Sequence, residues 1–155
     1  MTASRKAAAA LVTAAVALGA GCGGGSDEAV DAEAIEGRWT YELTRDYMLE
    51  NGISQQQATM ESGRHTAVLR DGNFSDSWRT AAGTTGSCSG KYVVEGSSVT
   101  FYWKRGCFGD WKMEPTLEGD TITWSDVEAL APQATDEDQK ITEVFNSVPW
   151  TRAQG

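Results

Sequence analysis

The chain has 155 residues, of which 40% are hydrophobic, and its formal net charge is −9. This composition suits one domain with a single core and argues against a protein with many membrane spans. The negative charge argues against nucleic acid as a partner, because phosphates are bound by basic surfaces.

Residues 1–21 have the pattern of an export signal. Arg5 and Lys6 precede an apolar stretch, 7–20, that is shorter than the roughly 20 residues a membrane-spanning helix needs. Small residues then lead to Cys22, and the segment resembles the signal of bacterial lipoproteins, in which this cysteine is lipidated. The resemblance implies a lipid anchor at Cys22 and a location on the extracytoplasmic face of the bacterial cell membrane. Simple secretion, with Cys22 just beyond an ordinary cleavage site, is the alternative.

The segment 22–36 is predicted to be a flexible tether, because glycine, serine and acidic residues follow Cys22. The folded domain is predicted to span 37–155. It opens with Gly37–Thr44, in which Trp39, Tyr41 and Leu43 alternate with polar residues. Alternation of this kind is typical of a half-buried strand.

Two short helices are predicted after this strand. Thr44 is a suitable N-cap for a helix over 46–50, and Asn51-Gly52 ends it. Ser54 and Gln57 have the spacing of a capping box, which predicts a second helix to about Glu61.

Six strands in three hairpins are predicted next. Strands 64–70 and 73–80 flank Asp71-Gly72, a strong two-residue turn signal. Strands 87–95 and 99–105 flank a turn at 96–98, and strands 110–117 and 121–127 flank a turn at 118–120. Pro115 predicts an edge, a bulge or a break within its strand.

A helix and a closing strand are predicted at the end. Thr135 is a suitable N-cap, and an apolar stripe follows at Ile141, Val144, Phe145 and Val148, which predicts a helix packed on the outside of the sheet. Pro149 ends it and Trp150 starts the last strand. The predicted fold is all-β: a closed antiparallel barrel of about eight strands, with a helix pair after the first strand and a helix before the last. An open β-sandwich is the alternative.

The order of these elements resembles the calycin superfamily, which includes lipocalins and fatty-acid-binding proteins. The resemblance rests on Gly37-x-Trp39, the early helix pair, the hairpin meander and the closing Pro149-Trp150-Thr151-Arg152. It is nearest to the lipocalin-like domains of actinobacterial lipoproteins, some of which are attached to solute-binding proteins of transporters. It implies that Arg152 covers Trp39. The Thr-Asp-Tyr motif of lipocalins is absent, and Gln154 stands where fatty-acid-binding proteins place a tyrosine.

Cys88 and Cys107 are predicted to form a disulfide. They lie at nearly equal distances from the turn at 96–98, so antiparallel pairing sets them almost opposite each other. Export implies an oxidising compartment, in which such a pair is oxidised.

No catalytic, metal or cofactor motif is found, and the chain is interpreted as non-enzymatic. His65 is the only histidine, and it is expected to be structural or solvated. The run 86–90 is similar to a nucleophile elbow around Cys88 but lacks the helix that must follow. Zinc-ligand spacing and a phosphate-binding glycine loop are both absent. Asp76 and Asp126 fall on the aromatic faces of their strands and are candidates for burial.

Two functions remain open. Barrels of about eight strands can hold one small ligand, so the leading hypothesis is binding of a small apolar or amphipathic molecule. The candidate lining residues are Tyr41, Met48, Met60, Trp78, Phe101, Trp103, Arg105 and Trp124, with Arg105 placed to meet a ligand carboxylate. The alternative is an interaction module of a transport or envelope complex, whose core is filled by its own tryptophans.

Overall fold

The computed structural model describes residues 29–105, 109–132 and 134–154. Eight antiparallel strands form a closed barrel in chain order, and the last strand closes on the first. The predicted barrel is therefore confirmed, and the open sandwich is excluded. The strands are β1 Gly37–Leu43, β2 Gly63–Arg70, β3 Asn73–Arg79, β4 Thr85–Glu95, β5 Ser98–Arg105, β6 Trp111–Glu118, β7 Thr121–Ala129 and β8 Trp150–Arg152. The helices are α1 Ala32–Ile35, α2 Arg45–Glu50, α3 Gln55–Glu61 and α4 Asp136–Asn146.

The turn between β2 and β3 fixes the register of that hairpin. Asp71 and Gly72 have φ angles of 50° and 68°, the positive values that a type I′ turn needs at both positions. The turn sets Leu69 opposite Phe74 and His65 opposite Trp78. Alternate residues of each strand therefore face the barrel interior: 65, 67 and 69 on β2, and 74, 76 and 78 on β3.

Pro115 lies in β6 next to an irregularity in the pairing with β7. The register between these strands shifts between Lys112 and Glu114. On its other side, β6 pairs with β5 only through Trp111 to Met113. Pro115 therefore occupies a part of β6 where no bond to β5 requires its missing N–H. Two of the three predicted features are therefore found: an irregularity in the ladder beside Pro115 and an edge-like, unpaired side toward β5.

The helix pair begins at the predicted caps and covers one end of the barrel. The Thr44 side chain accepts a hydrogen bond from the Tyr47 N–H, and the Ser54 side chain accepts one from the Gln57 N–H. Met48 of α2 and Ala58 of α3 are fully buried. In the described ranges, no helix has both the length and the apolar character that crossing a bilayer requires.

Helix α4 covers the same end, and its predicted position outside the barrel is wrong. Thr135 and Asp138 form a complete capping box at its start. Ile141, Phe145 and Asn146 all contribute to the wall of the interior cavity. The apolar stripe was correctly predicted, but periodicity shows only that one helix face is buried and not which surface buries it.

The folded domain also begins earlier than the predicted boundary at Gly37. Helix α1 is capped by Asp31, whose side chain accepts from the Glu33 N–H, and Ile35 is fully buried. The indole Nε1 of Trp39 donates to the Ile35 carbonyl at 2.9 Å. The last residues assigned to the tether are therefore part of the barrel's other end, because they accept hydrogen bonds from its core.

Candidate functional site

The barrel encloses a cavity of about 90 Å³ below α3 and α4. Sites for drug-sized ligands usually measure about 300–1,000 Å³. The wall is predominantly aromatic, and its rings belong to Tyr41, Phe74, Trp78, Phe101, Trp103, Trp111, Phe145 and Trp150. The space suits a compact molecule and is too small for a fatty acid or another long-chain ligand.

Four rings on adjacent strands form a continuous stack along one side of this cavity. The centroids of Trp150 and Tyr41 are 4.8 Å apart, and those of Tyr41 and His65 are 4.6 Å apart. Trp78 continues the stack 5.6 Å from His65. All three interplanar angles are below 20°. The stack exists because strand register places these residues side by side, facing inward, on β8, β1, β2 and β3.

A buried polar cluster lies within this aromatic wall. The carboxylate Oδ2 of Asp76 accepts from the Tyr41 hydroxyl at 2.8 Å and lies 3.0 Å from His65 Nδ1. His65 is 1% exposed and Asp76 6%. Of the two expectations for His65, structural or solvated, the first is therefore correct, because the side chain is buried and both ring nitrogens have hydrogen-bond partners.

The hydrogen bonds of His65 fix the number of protons in the cluster. Its Nε2 lies 3.0 Å from the Glu61 carbonyl oxygen, which can only accept, so Nε2 carries a proton. A second proton must then lie between Nδ1 and Asp76 Oδ2, because two lone pairs cannot face each other at that distance. The pair is either imidazolium with carboxylate or imidazole with carboxylic acid. In both states its net charge is zero.

The same side chains hold the end of α3. His65 binds the Glu61 carbonyl, and the Trp78 indole Nε1 donates to the Met60 carbonyl at 3.3 Å. Two carbonyls of the last helical turn, which have no partner within the helix, are thus satisfied by the barrel wall. The position of α3 over the cavity therefore depends on the ring stack below it.

Burial shifts the protonation of two groups at the cavity. It raises the pKa of Glu61 to about 6, an effect that the charge of His65 partly opposes. Burial, together with the negative charge of Asp76, raises the pKa of the Tyr41 hydroxyl well above its usual value. Tyr41 therefore remains a hydrogen-bond donor at any physiological pH.

Several buried polar atoms at the site lack a hydrogen-bond partner among the described residues. They are Asp76 Oδ1 and the indole Nε1 atoms of Trp103, Trp124 and Trp150. Asp76, Trp103 and Trp150 line the cavity. Such orphaned groups are rare in folded proteins, because leaving one unsatisfied costs about 1–3 kcal/mol. Asp76 Oδ1 and the two indole N–H groups thus belong to residues of the cavity wall, which makes them the candidate acceptor and donors for a bound molecule.

The sequence-based candidates divide into three groups. Tyr41, Trp78, Phe101 and Trp103 line the cavity. Trp124 packs behind it, edge-on to Phe101 and Trp150, Met48 is buried in the core, and Met60 is 49% exposed. Arg105 ends β5, opposite Ser89, and its side chain lies outside the described part of the structure.

The polar members of the site were missed as a group. The sequence predicts no binding role for His65, places Glu61 only at the end of a helix, and predicts burial of Asp76 without identifying its partners. One available signal was the Asp71-Gly72 turn. It pairs His65 with Trp78 and Ala67 with Asp76, which makes His65 and Asp76 diagonal neighbours on the inner face. Asp126, the other candidate for burial, is exposed.

Trp39 and Arg152 lie together at the opposite end of the barrel from this site. The Arg152 Cζ atom is 4.2 Å from the centroid of the Trp39 ring. Its Nη1 and Nη2 donate to the carbonyls of Glu36 and Ala34 at 2.8 and 2.9 Å. The contact joins the first strand, the last strand and α1, and it is structural because it is remote from the cavity.

The remaining predicted residues lie partly outside the described ranges. Cys22 precedes them and Cys107 falls in a gap, whereas Cys88 is buried on β4 and lines the cavity. The disulfide and the lipid anchor therefore remain predictions. In the described ranges, no group of three or more His, Cys, Asp or Glu residues is placed to hold a metal ion.

Comparison with protein-family models and with curated proteins finds no match for this chain. The resemblance to lipocalin-like domains therefore rests on the motifs and element order given above.

Proposed function

We propose that this chain is an extracytoplasmic binding protein, anchored to the membrane through a lipid on Cys22, that holds a small amphipathic molecule inside its barrel. The observation that carries the proposal is the aromatic cavity of about 90 Å³, whose wall contains the unpartnered, buried Asp76 Oδ1. An apolar pocket with a few convergent polar groups is the usual form of a small-molecule site. We infer no enzymatic role and no cofactor.

Native mass spectrometry of the protein purified from its own host tests this proposal. We expect a co-purified molecule of low mass that is lost when the protein is denatured. Reverse-phase separation of the released material then identifies it. A protein that carries no adduct and shows no affinity for small amphipathic compounds would contradict the proposal.

A second candidate function is an interaction module for a transport or envelope partner. The small size of the cavity favours it, because a volume of about 90 Å³ is well below that of ordinary ligand sites. In that case the tryptophans serve as core, and the unpartnered polar atoms are satisfied by ordered water. Co-purification of a partner protein with an empty barrel would favour this function. The net charge of −9 argues against nucleic acid as that partner.

The proposed location rests on Cys22 and is tested separately. We expect the N-terminal peptide from the membrane fraction to begin at Cys22 and to carry the mass of an acylated cysteine. The Cys22→Ala variant should lose this modification and leave the membrane fraction. An unmodified wild-type protein in the medium, with proteolytic release excluded, would contradict the lipid anchor.

A further inference from the structure

We propose that the ligand of the cavity is a compact organic ammonium ion that also carries a hydrogen-bond acceptor, as a short amino alcohol does. This inference rests on the proposed function and specifies the ligand class. It is carried by one buried carboxylate oxygen without a partner, the aromatic wall around it and the charges of the groups that line the cavity.

The carboxylate supplies the acceptor for the ammonium group. Asp76 is 6% exposed, and both of its described hydrogen bonds involve Oδ2, which accepts from the Tyr41 hydroxyl and shares a proton with His65 Nδ1. Its Oδ1 is buried and without a partner in the described part of the chain. An N–H donor on a ligand satisfies this atom, and a charged donor forms the stronger bond.

The aromatic rings supply the surroundings for a positive charge. Ring faces carry partial negative charge and attract cations within about 6 Å of the centroid. Phe74, Phe101, Trp103 and Trp111 contribute to the wall together with the stack described above. A cation enclosed by such rings loses water but gains several ring faces in exchange, and this arrangement recurs in sites for organic ammonium ions.

The balance of charge also favours a cation. Among the described lining residues, the side chains that can titrate are those of Glu61, His65, Asp76 and Tyr41, and no lysine or arginine lies among them. The His65–Asp76 pair is neutral as a whole, and Tyr41 is protonated. The net charge of the described residues that line the cavity therefore comes from Glu61, whose ionised carboxylate is negative. An anionic ligand would meet no compensating charge here, whereas an ammonium ion would.

The unpartnered indoles define the second group of the ligand. Trp103 and Trp150 line the cavity, and their Nε1 atoms are buried donors without an acceptor. A hydroxyl oxygen on the ligand can accept from such a donor. The cavity volume of about 90 Å³ is well below the roughly 300–1,000 Å³ of sites for drug-sized ligands, so the ligand has only a few non-hydrogen atoms.

Four probes of nearly equal size separate these requirements: ethanolamine, propylamine, 1-propanol and propionate. We would titrate each into the full chain at constant ionic strength, following the tryptophan indole N–H signals by NMR. Four non-hydrogen atoms limit the dissociation constant to about 40 µM at best, so millimolar concentrations are needed. We expect both ammonium probes to bind at least about tenfold more tightly than 1-propanol, ethanolamine to bind most tightly and propionate not to bind.

Two variants with the same change in net charge test the role of Asp76. Asp76→Asn should lower the affinity for propylamine about tenfold or more and leave the affinity for 1-propanol nearly unchanged. Asp126→Asn removes an exposed carboxylate on β7 and should change neither. If Asp76→Asn does not fold, Glu61→Gln at the cavity rim replaces it. It should weaken propylamine binding severalfold without affecting 1-propanol.

The outcomes distinguish this inference from the function on which it rests. If 1-propanol binds as tightly as propylamine, or if Asp126→Asn weakens propylamine binding as much as Asp76→Asn, the ammonium inference is overturned and small-molecule binding stands. If none of the four probes shifts the indole signals, both are overturned. If propylamine binds as tightly as ethanolamine, the inference that the ligand carries a hydrogen-bond acceptor is overturned, and the requirement for an ammonium group stands.

Discussion

Trp78 packs so closely against Gly86 on the neighbouring strand that a Cβ atom at residue 86 would overlap the indole ring. The two residues are direct partners in the β3–β4 ladder. The ring stack that starts at Trp150 therefore ends at a position without a side chain. Gly86 is required by this approach and not by a turn, since it lies within the strand.

Gly86→Ala should therefore displace Trp78 and disturb the stack. We expect a loss of about 1–3 kcal/mol in the free energy of unfolding, because a core contact is overpacked. Near-ultraviolet circular dichroism should change as well, since the indole leaves its packed position. Ser87→Ala, at the exposed neighbouring residue, is the control and should do neither. Wild-type stability in Gly86→Ala would mean that Trp78 moves at little cost.

Removing His65 should leave the buried Asp76 without the imidazole that shares a proton with it. We expect His65→Leu to lower the free energy of unfolding by about 3–5 kcal/mol. The double variant His65→Leu with Asp76→Asn should lose less than the sum of the two single variants, because the residues share a hydrogen bond 3.0 Å long. Urea unfolding measures all four proteins. Strict additivity would show that the pair does not interact in solution.

Glu61 should make stability depend on pH. Burial raises its pKa to about 6 from the usual 4.5, so the folded protein holds this proton more tightly than the unfolded chain does. The contribution of Glu61 to the free energy of unfolding is therefore complete below about pH 4.5 and is lost as the pH rises through about 6. The shift corresponds to about 2 kcal/mol, which solvent screening of this partly exposed group reduces to about 1 kcal/mol.

The Glu61→Gln variant isolates this effect from that of other titrating groups. Its stability relative to the wild type should rise by about 1 kcal/mol between pH 4.5 and pH 7. Glu50→Gln, at an exposed position on α2, should show no such trend. Thermal unfolding across the pH range measures both differences. If the difference in stability between Glu61→Gln and the wild type does not change with pH, the Glu61 carboxylate is exposed to solvent and its pKa is not raised.

Arg152→Ala should destabilise the barrel without affecting the cavity. The substitution removes the ring contact with Trp39, which contributes about 0.5–2 kcal/mol, and two hydrogen bonds to carbonyls of the α1 segment. We expect a total loss of about 2–3 kcal/mol in urea unfolding. Arg38→Ala, an exposed arginine on β1, should cost far less. Equal losses would assign the effect to charge alone.

The predicted disulfide is open to direct measurement. If Cys88 and Cys107 are joined, the non-reduced protein should yield a cross-linked peptide by mass spectrometry, and alkylation without reductant should leave both residues unmodified. Loss of the bond should cost about 3 kcal/mol, because it closes a loop of about twenty residues. Alkylation of Cys107 in the native, non-reduced protein would disprove the pairing.

The barrel was predictable because its signals are local. The Asp71-Gly72 turn and the alternation of Trp39, Tyr41 and Leu43 each depend on neighbouring residues, and they give strand bounds close to those observed. Helix caps at Thr44, Ser54 and Thr135 are local as well, and each was found at the predicted residue. Only the strand closure and the helix positions depend on the whole fold.

The polar cluster was less predictable because it joins residues from four elements. His65, Asp76 and Tyr41 lie on three strands, and Glu61 reaches them from a helix. The amphipathic pattern of α4 is the same whether the helix covers the barrel's end or its side, so its position could not be read from periodicity. Met60 was misplaced for a similar reason, because a short helix gives few residues from which to determine its buried face.

The closure of β1 on β8 has a consequence for the rate of folding. The Thr40 hydroxyl donates to the Thr151 carbonyl across 111 residues of chain, and β8 supplies only three residues to the seam. The seven hairpin and neighbour pairings can form in sequence, but the seam needs both ends of the domain together. Contacts of such high sequence separation slow folding, because a large loop entropy must be overcome before any bond is gained. We therefore expect the seam to form last, after an open, curled sheet whose two unpaired edges are briefly exposed to other chains.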